Sequence, residues 1–152
     1  MSENWAVQQA VKAAILAGMP TYAECGGLMY LAESLTDFEG RNWQMVGVLP
    51  TTAVMGKRLT LGYRRAVAQQ NSPLIPMGTT VWGHEFHRSS LTLLPQQSLY
   101  QIQGYDPASA LGQEGWCQNQ LHASYVHLHW GGRPEIPARF LAHCARFAQT
   151  QP

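Results

Sequence analysis

One stretch, Tyr22-Ala23-Glu24-Cys25-Gly26-Gly27-Leu28-Met29-Tyr30-Leu31, limits what this chain can fold into more than any other. Gly18 and Pro20 form a turn pair that stops a preceding helix and releases a short strand over Thr21 to Glu24. Beyond the glycines, Leu28, Leu31 and Leu35 recur at three- and four-residue spacing, which predicts an amphipathic helix. Cys25 therefore stands where a strand gives way to a helix. Gly26 and Gly27 allow a sharp turn there because neither carries a Cβ that would clash at positive φ. A thiol so placed faces unpaired N–H groups and the positive end of a helix dipole, and both favour thiolate. The strand–nucleophile–helix elbow of hydrolases uses the same mechanics with serine. The plainer interpretation is a small buried cysteine in an ordinary strand-to-helix turn, because free cysteine is among the most buried residue types.

The chain around this elbow has 152 residues, which suits a single domain over 1–152 with a real core. Net charge is +1 and no Lys/Arg run occurs, so neither nucleic acid nor an acidic membrane surface is an expected partner. No apolar run approaches the length of a membrane span, and the N-terminus lacks a basic–apolar–small leader pattern, so a cytoplasmic location is expected. The three cysteines, at 25, 117 and 144, are odd in number and irregular in spacing, unlike a disulfide framework.

Around the elbow, Asn4 is a candidate N-cap for an opening helix that ends at Gly18, with Val7, Val11, Ala14 and Ile15 as its apolar face. Extended segments are predicted over 43–49 (closed by Pro50), 58–68, 79–89, 91–94 and 98–103, with an irregular stretch over 104–115 and turns at Asp106-Pro107 and Gly112. Cys117 reads as a buried strand position. Residues 123–130 are rich in β-formers and end at Gly131-Gly132. A last helix starts near Pro134, with Pro137 in its first turn and Ile136, Phe140, Leu141, Cys144 and Phe147 on one face. This order gives an α/β domain whose middle is an antiparallel insertion.

A nucleophilic Cys25 needs a base. Five of the six histidines fall in two patches, His84 with His87 and His122 with His127 and His129. On the residues alone, a hydrogen-bonded histidine in a core strand is the simpler account of His127. The motif Ala23-Glu24-Cys25-Gly26-Gly27-Leu28-Met29-Tyr30-Leu31, however, resembles the nucleophile motif of the glutamine amidotransferase domain of cobyrinic acid a,c-diamide synthases. Tyr125-Val126-His127 is similar to that family's Tyr-x-His strand motif, and Leu61-Gly62-Tyr63-Arg64 and Gly83-His84-Glu85-Phe86-His87-Arg88-Ser89 resemble further segments of it in the same order. The likeness runs from about Met19 through Ala148.

The resemblance implies a class I glutamine amidotransferase-like, flavodoxin-like three-layer α/β fold with an antiparallel β-rich insertion. It implies Cys25 as nucleophile, His127 as base, the Gly26 N–H as an oxyanion donor, and Arg64 as a partner for the carboxylate of L-glutamine. Many glutaminases of the superfamily carry a glutamate two residues after the histidine, where this chain has His129. The third member is therefore sought in Glu85 or Glu24, with His129 as support or second base. Glu24, adjacent to Cys25 on a strand, is expected to point away from it. The superfamily's first strands and their Gly-Gly-x-Pro-Glu-like loop have no counterpart here, so the chain is expected to be the C-terminal portion of a larger synthase. Val54-Met55-Gly56-Lys57-Arg58 lacks P-loop spacing, and no cofactor or metal is expected in this chain. ATP and Mg are expected only in a separate synthetase domain, which would also receive the corrinoid acceptor. A homodimer or a partner chain completing the sheet is expected. The alternatives are a non-catalytic fragment or scaffold subunit, a cysteine hydrolase of another amide, and a metal site built from His127, His129, His84 or His87 and Cys25.

Overall fold

The computed structural model describes residues 4–106 and 110–150. Helix α1, Trp5–Leu16, is capped as expected, the Asn4 side chain accepting from the Val7 N–H at 3.2 Å. Its inward face differs from the apolar spacing. Gln8 and Ile15 are buried while Val7 is 46% exposed. The Gln8 amide donates to the Gln44 carbonyl at 3.1 Å, so a polar anchor sets the rotation of this helix.

Strand β1, Thr21–Glu24, runs into helix α2, Gly26–Leu31. The helix stops four residues short of Leu35, because Ala32–Thr36 is strand β2. Two segments compete for this backbone. The carbonyls of Tyr30, Leu31 and Ala32 accept from the N–H groups of Val46, Val48 and Gly47 at 3.0, 3.0 and 2.8 Å. The loop predicted as part of a 43–49 strand thus closes the end of α2, where carbonyls would otherwise be orphaned. Of that segment only Trp43 and Gln44, in strand β3 (Asn42–Gln44, antiparallel to β2), and Leu49, which starts the next strand, are extended.

Pro50 does not close a strand; it is the second residue of β4, Leu49–Ala68, a 20-residue strand. Strand β4 pairs with β2 in parallel and with β5, Thr80–Leu91, in antiparallel, the latter with a register shift between Met55 and Thr60. Strand β6 is Tyr100–Gln103, and β7, Ala110–Glu114, lies in the stretch predicted as irregular. Pairing of Tyr100 with Glu114 holds β7 in place, a long-range contact with no local signature. No strand forms over 92–94. Of the turn expected at Asp106-Pro107, Pro107 lies outside the described residues.

Strands β8, Trp116–Gln118, and β9, Leu121–Ser124, complete a three-stranded sheet in the order β1-β9-β8, with β1 at its edge. Strand β9 runs parallel to β1, Glu24 opposite Ser124, which places the chain ends of both strands side by side. The predicted 123–130 strand is divided. After Ser124 the chain leaves this sheet and re-enters the other as β10, His127–Leu128, antiparallel to β5. The second sheet follows β10-β5-β4-β2-β3, with β6 and β7 on β4's other flank.

Helix α3, Glu135–Gln149, has Pro137 in its first turn. Its apolar face is shallower than the spacing implies: Ile136 is buried, Phe140 and Cys144 are half-buried, and Leu141 is 65% exposed. One apolar cluster gathers Ile15, Leu28, Leu31, Leu49 and Leu121 beneath the elbow; a second gathers Val81, Tyr100, Val126 and Ile136. Among the described residues no helix is long and apolar enough to cross a membrane.

Candidate active site

Cys25 sits at φ 47° and ψ −100°, one of two non-glycine residues at positive φ among those described. Positive φ is unfavourable for a residue with a Cβ and needs surroundings that hold it. Here the Cys25 N–H donates to the Ser124 carbonyl at 2.9 Å, continuing the β1–β9 ladder, and the Cys25 carbonyl accepts from Met29 at 3.0 Å, starting α2. Between these two bonds the side chain is lifted out of strand alternation. Gly27 meets the Ala23 Cβ at 3.3 Å from the position a Cβ would take, so the elbow also needs a small residue for close packing.

The thiol is half-buried, with Sγ 4.0 Å from the Phe86 carbonyl oxygen. It opens on a cavity of about 380 Å³ lined by Met29, Phe38, Met55, Leu59, Phe86 and His87, among others. Burial pushes the Cys25 thiol up, the Gly26 N–H pulls it down, and the nearby Glu24 carboxylate adds to the rise. The net direction is upward. The thiolate preference expected of an elbow is therefore outweighed by desolvation in this structure, and a base is needed to take the proton.

His127 is brought to Glu24. Its Nδ1 lies 3.3 Å from Glu24 Oε2, within ion-pair distance when the ring is protonated. Glu24 is held in turn: Oε1 accepts from the Leu128 N–H at 2.7 Å and from the Tyr22 hydroxyl. The His127 ring stacks on His84, centroids 5.0 Å apart. Glu24, expected to point away from Cys25, carries its carboxylate to His127. Alternation does put Glu24 and Cys25 on opposite sides of an ideal strand, but the elbow ends the strand at Glu24 and β10 delivers His127 to that end. The parallel β1–β9 pairing is what makes this possible, and nothing in the local sequence announces it.

Arg64 and Glu85 come together, with each other rather than with His127. Arg64 is 8% exposed; its Nε donates to Glu85 and its Nη1 to the Tyr63 carbonyl at 3.0 Å. The guanidinium expected to pair with a glutamine carboxylate is thus buried and already paired. Burial would raise Glu85, but hydrogen bonds from His87 and Arg64 outweigh it and hold the carboxyl below its usual range. Glu85 therefore does not orient His127.

His87, read only as part of a histidine patch, lines the Cys25 cavity. Both ring nitrogens are occupied: Nδ1 donates to the Ser89 carbonyl at 2.8 Å and Nε2 faces Glu85 at 3.5 Å. Its ring stacks on Tyr125 with centroids 3.9 Å apart. His129 is not a strand neighbour of His127, since β10 ends at Leu128. It is exposed and its ring lies over Gly131, 3.1 Å from the position a Cβ would take there. Among the described residues no three His, Cys, Asp or Glu side chains are grouped to hold a metal ion, so the alternative metal set does not assemble.

A cysteine elbow between a strand and a helix, over a mixed sheet, has a counterpart among solved structures. The fold matches a crystal structure of glutamine amidotransferase with a TM-score of 0.63 at 16% identity, over 95% of this chain and 71% of that one. Residues 1–135 match the CobB/CobQ-like glutamine amidotransferase domain, and the chain belongs to that family. A cobyrinate a,c-diamide synthase of Synechococcus sp. is 54% identical over 144 residues, which is 95% of this chain and 31% of that protein. One from Synechocystis sp. is 44% identical over 97% of this chain and 30% of its own length. A hydrogenobyrinate a,c-diamide synthase of Streptomyces coelicolor is 38% identical over 95% of this chain and 28% of its own. The chain therefore spans about a third or less of these relatives.

Proposed function

We propose that this domain hydrolyses L-glutamine and supplies the ammonia for an ATP-dependent corrinoid a,c-diamide synthase. The observation that carries the reading is the Cys25 elbow at φ 47°, adjacent in the chain to a carboxylate 3.3 Å from Nδ1 of His127. The Cys25 sulfur attacks the side-chain amide carbon of glutamine. His127 Nε2 takes the thiol proton and returns it to the leaving nitrogen, which departs as ammonia. Glu24 stabilises the imidazolium formed between those steps. The Gly26 N–H, the first after the nucleophile, serves the tetrahedral oxyanion. Water then cleaves the thioester to glutamate and restores the thiol. ATP and Mg²⁺ act on the acceptor carboxylate in the portion of such synthases that this chain does not match. The edge of β1 and the exposed face of β4 and β5, with Leu61, Tyr63, Trp82 and Phe86, are the surfaces open to that portion or to a second copy.

Intact mass after incubation with a diazo-ketone analogue of glutamine tests this reading. A single adduct, suppressed by glutamine and lost in Cys25→Ala, is the expected result. No adduct from a protein whose Cys25 still reacts with a generic alkylating agent would overturn it, leaving a folded domain without a glutamine site.

A further inference from the structure

His127 reaches Glu24 because the chain changes sheets within three residues of Ser124. In β9, Ser124 pairs with Glu24; at His127 the chain pairs with His84 of β5 in the other sheet. A crossing this short leaves the Tyr125 and Val126 N–H groups outside either ladder, in a region where both residues are buried. Buried N–H groups need partners.

Glu114, at the end of β7, meets that need. It is 7% exposed, and its Oε1 accepts from the Tyr125 N–H at 2.8 Å. Its Oε2 accepts from the Ser124 hydroxyl at 2.6 Å, and the Ser124 Oγ accepts in turn from the Val126 N–H at 2.9 Å. One carboxylate thus closes both orphan groups of the crossing, directly and through serine. The mechanism described above does not use Glu114, and its burial has no counterpart in an ion pair. Its surroundings are Glu85, His87, Tyr100 and Tyr125, with the Ser89 hydroxyl donating to the Tyr125 oxygen at 2.9 Å.

We infer that Glu114 is a positioning residue for glutamine hydrolysis: through Ser124 and the Tyr125 N–H it shapes the β9–β10 crossing that holds His127 against Glu24. The inference rests on the glutaminase reading. Burial pushes the Glu114 carboxyl up to about 7 against the pull of Ser124 and Tyr125, so its charge changes within the working range of a histidine base. An ionised carboxylate is the stronger acceptor for both donors, and the crossing is tightest above that point. Glu85 adds to the rise and His87 opposes it, so both set where the change falls.

The test is the rate of Cys25 labelling by the diazo-ketone analogue, measured from pH 5.5 to 8.5 on wild type, Glu114→Gln and Glu114→Ala. Wild type failing to label at all would refute the glutaminase reading itself. With wild type labelling, the positioning role predicts at least a tenfold slower rate for Glu114→Ala. It also predicts that Glu114→Gln, which keeps an acceptor for Tyr125, loses the rise of rate through pH 7 while the analogue's half-saturation concentration stays within about twofold. Should Glu114→Ala fail to fold, Glu114→Gln decides alone. A Glu114→Gln profile superimposable on wild type would overturn the inference and leave Glu114 a structural buried acid.

Discussion

Glu24 shows how much a single side chain is asked to do here. Its Oε1 accepts from Tyr22 and from the Leu128 backbone, and Oε2 lies 3.3 Å from His127 Nδ1, so the imidazole stands beside a carboxylate that is itself fixed. Replacing it by Gln leaves an acceptor but removes the charge that stabilises an imidazolium. Glu24→Gln should slow Cys25 labelling by about 10²-fold, a typical share for a positioned acid–base pair. His87→Asn, which alters a ring whose nitrogens are both engaged, should slow it far less, although His87 is the histidine lining the Cys25 cavity. Comparable losses in the two variants would transfer the base to His87. At this scale the sequence was informative about Cys25, through its glycines, and about His127, through Tyr125-Val126-His127. It offered Glu24 only beside Glu85 and turned it away from Cys25, because strand alternation is a local rule and the β1–β9–β10 arrangement that brings it to His127 is not.

Among the elements, the junction between β10 and β5 is the tightest. A Cβ added at Gly83 would stand 2.4 Å from the His127 carbonyl oxygen and 2.6 Å from Val126 Cγ1. These are backbone and β-branched atoms with little freedom to move. Gly83→Ala is therefore expected to destabilise the fold by about 1–3 kcal/mol through overpacking, read as a lower denaturant midpoint. It should also slow labelling of Cys25 in the fraction that folds, since the atom it displaces belongs to His127, the base of the proposed mechanism. Wild-type stability and rate would mean that β10 can shift without cost. The same pair of strands explains why Gly83-His84-Glu85-Phe86-His87-Arg88-Ser89 alternates in role. His84, Phe86 and Arg88 face outward, His84 against His127, and Glu85, His87 and Ser89 face the buried network with Arg64 and Tyr125.

Across the whole molecule, the two sheets meet around groups that are buried and titratable. His122 is fully buried between the Ser72 hydroxyl, 2.9 Å from Nδ1, and the Tyr100 hydroxyl, 3.2 Å from Nε2. Desolvation lowers it from an ordinary 6.5 to about 3. The unfolded chain thus binds a proton below about pH 6.5 that the native protein refuses until about pH 3, and stability falls as pH drops between those values. By pH 5 the loss attributable to this residue is about 2 kcal/mol. A His122→Gln variant should start less stable at pH 7.5 and show a flatter decline to pH 5 in denaturant titrations. Parallel declines would place the acid sensitivity elsewhere, for example in the Arg64–Glu85 pair.

Local chemistry alone determined the ends of this chain's story: β1, the turn at Gly18 and Pro20, the elbow at Cys25-Gly26-Gly27, and a final helix with Pro137 in its first turn. Each rests on interactions within a few residues, which sequence spacing records directly. Tertiary structure decided where α2 stops, because Val46, Gly47 and Val48 cap it and β4 claims Ala32–Thr36. It decided that Arg64 spends its charge on Glu85, and that Glu24 is the carboxylate beside the His127 ring. Those outcomes depend on partners from 15 to 104 residues away, whose approach is set by sheet pairing and burial; apolar periodicity carries no record of either.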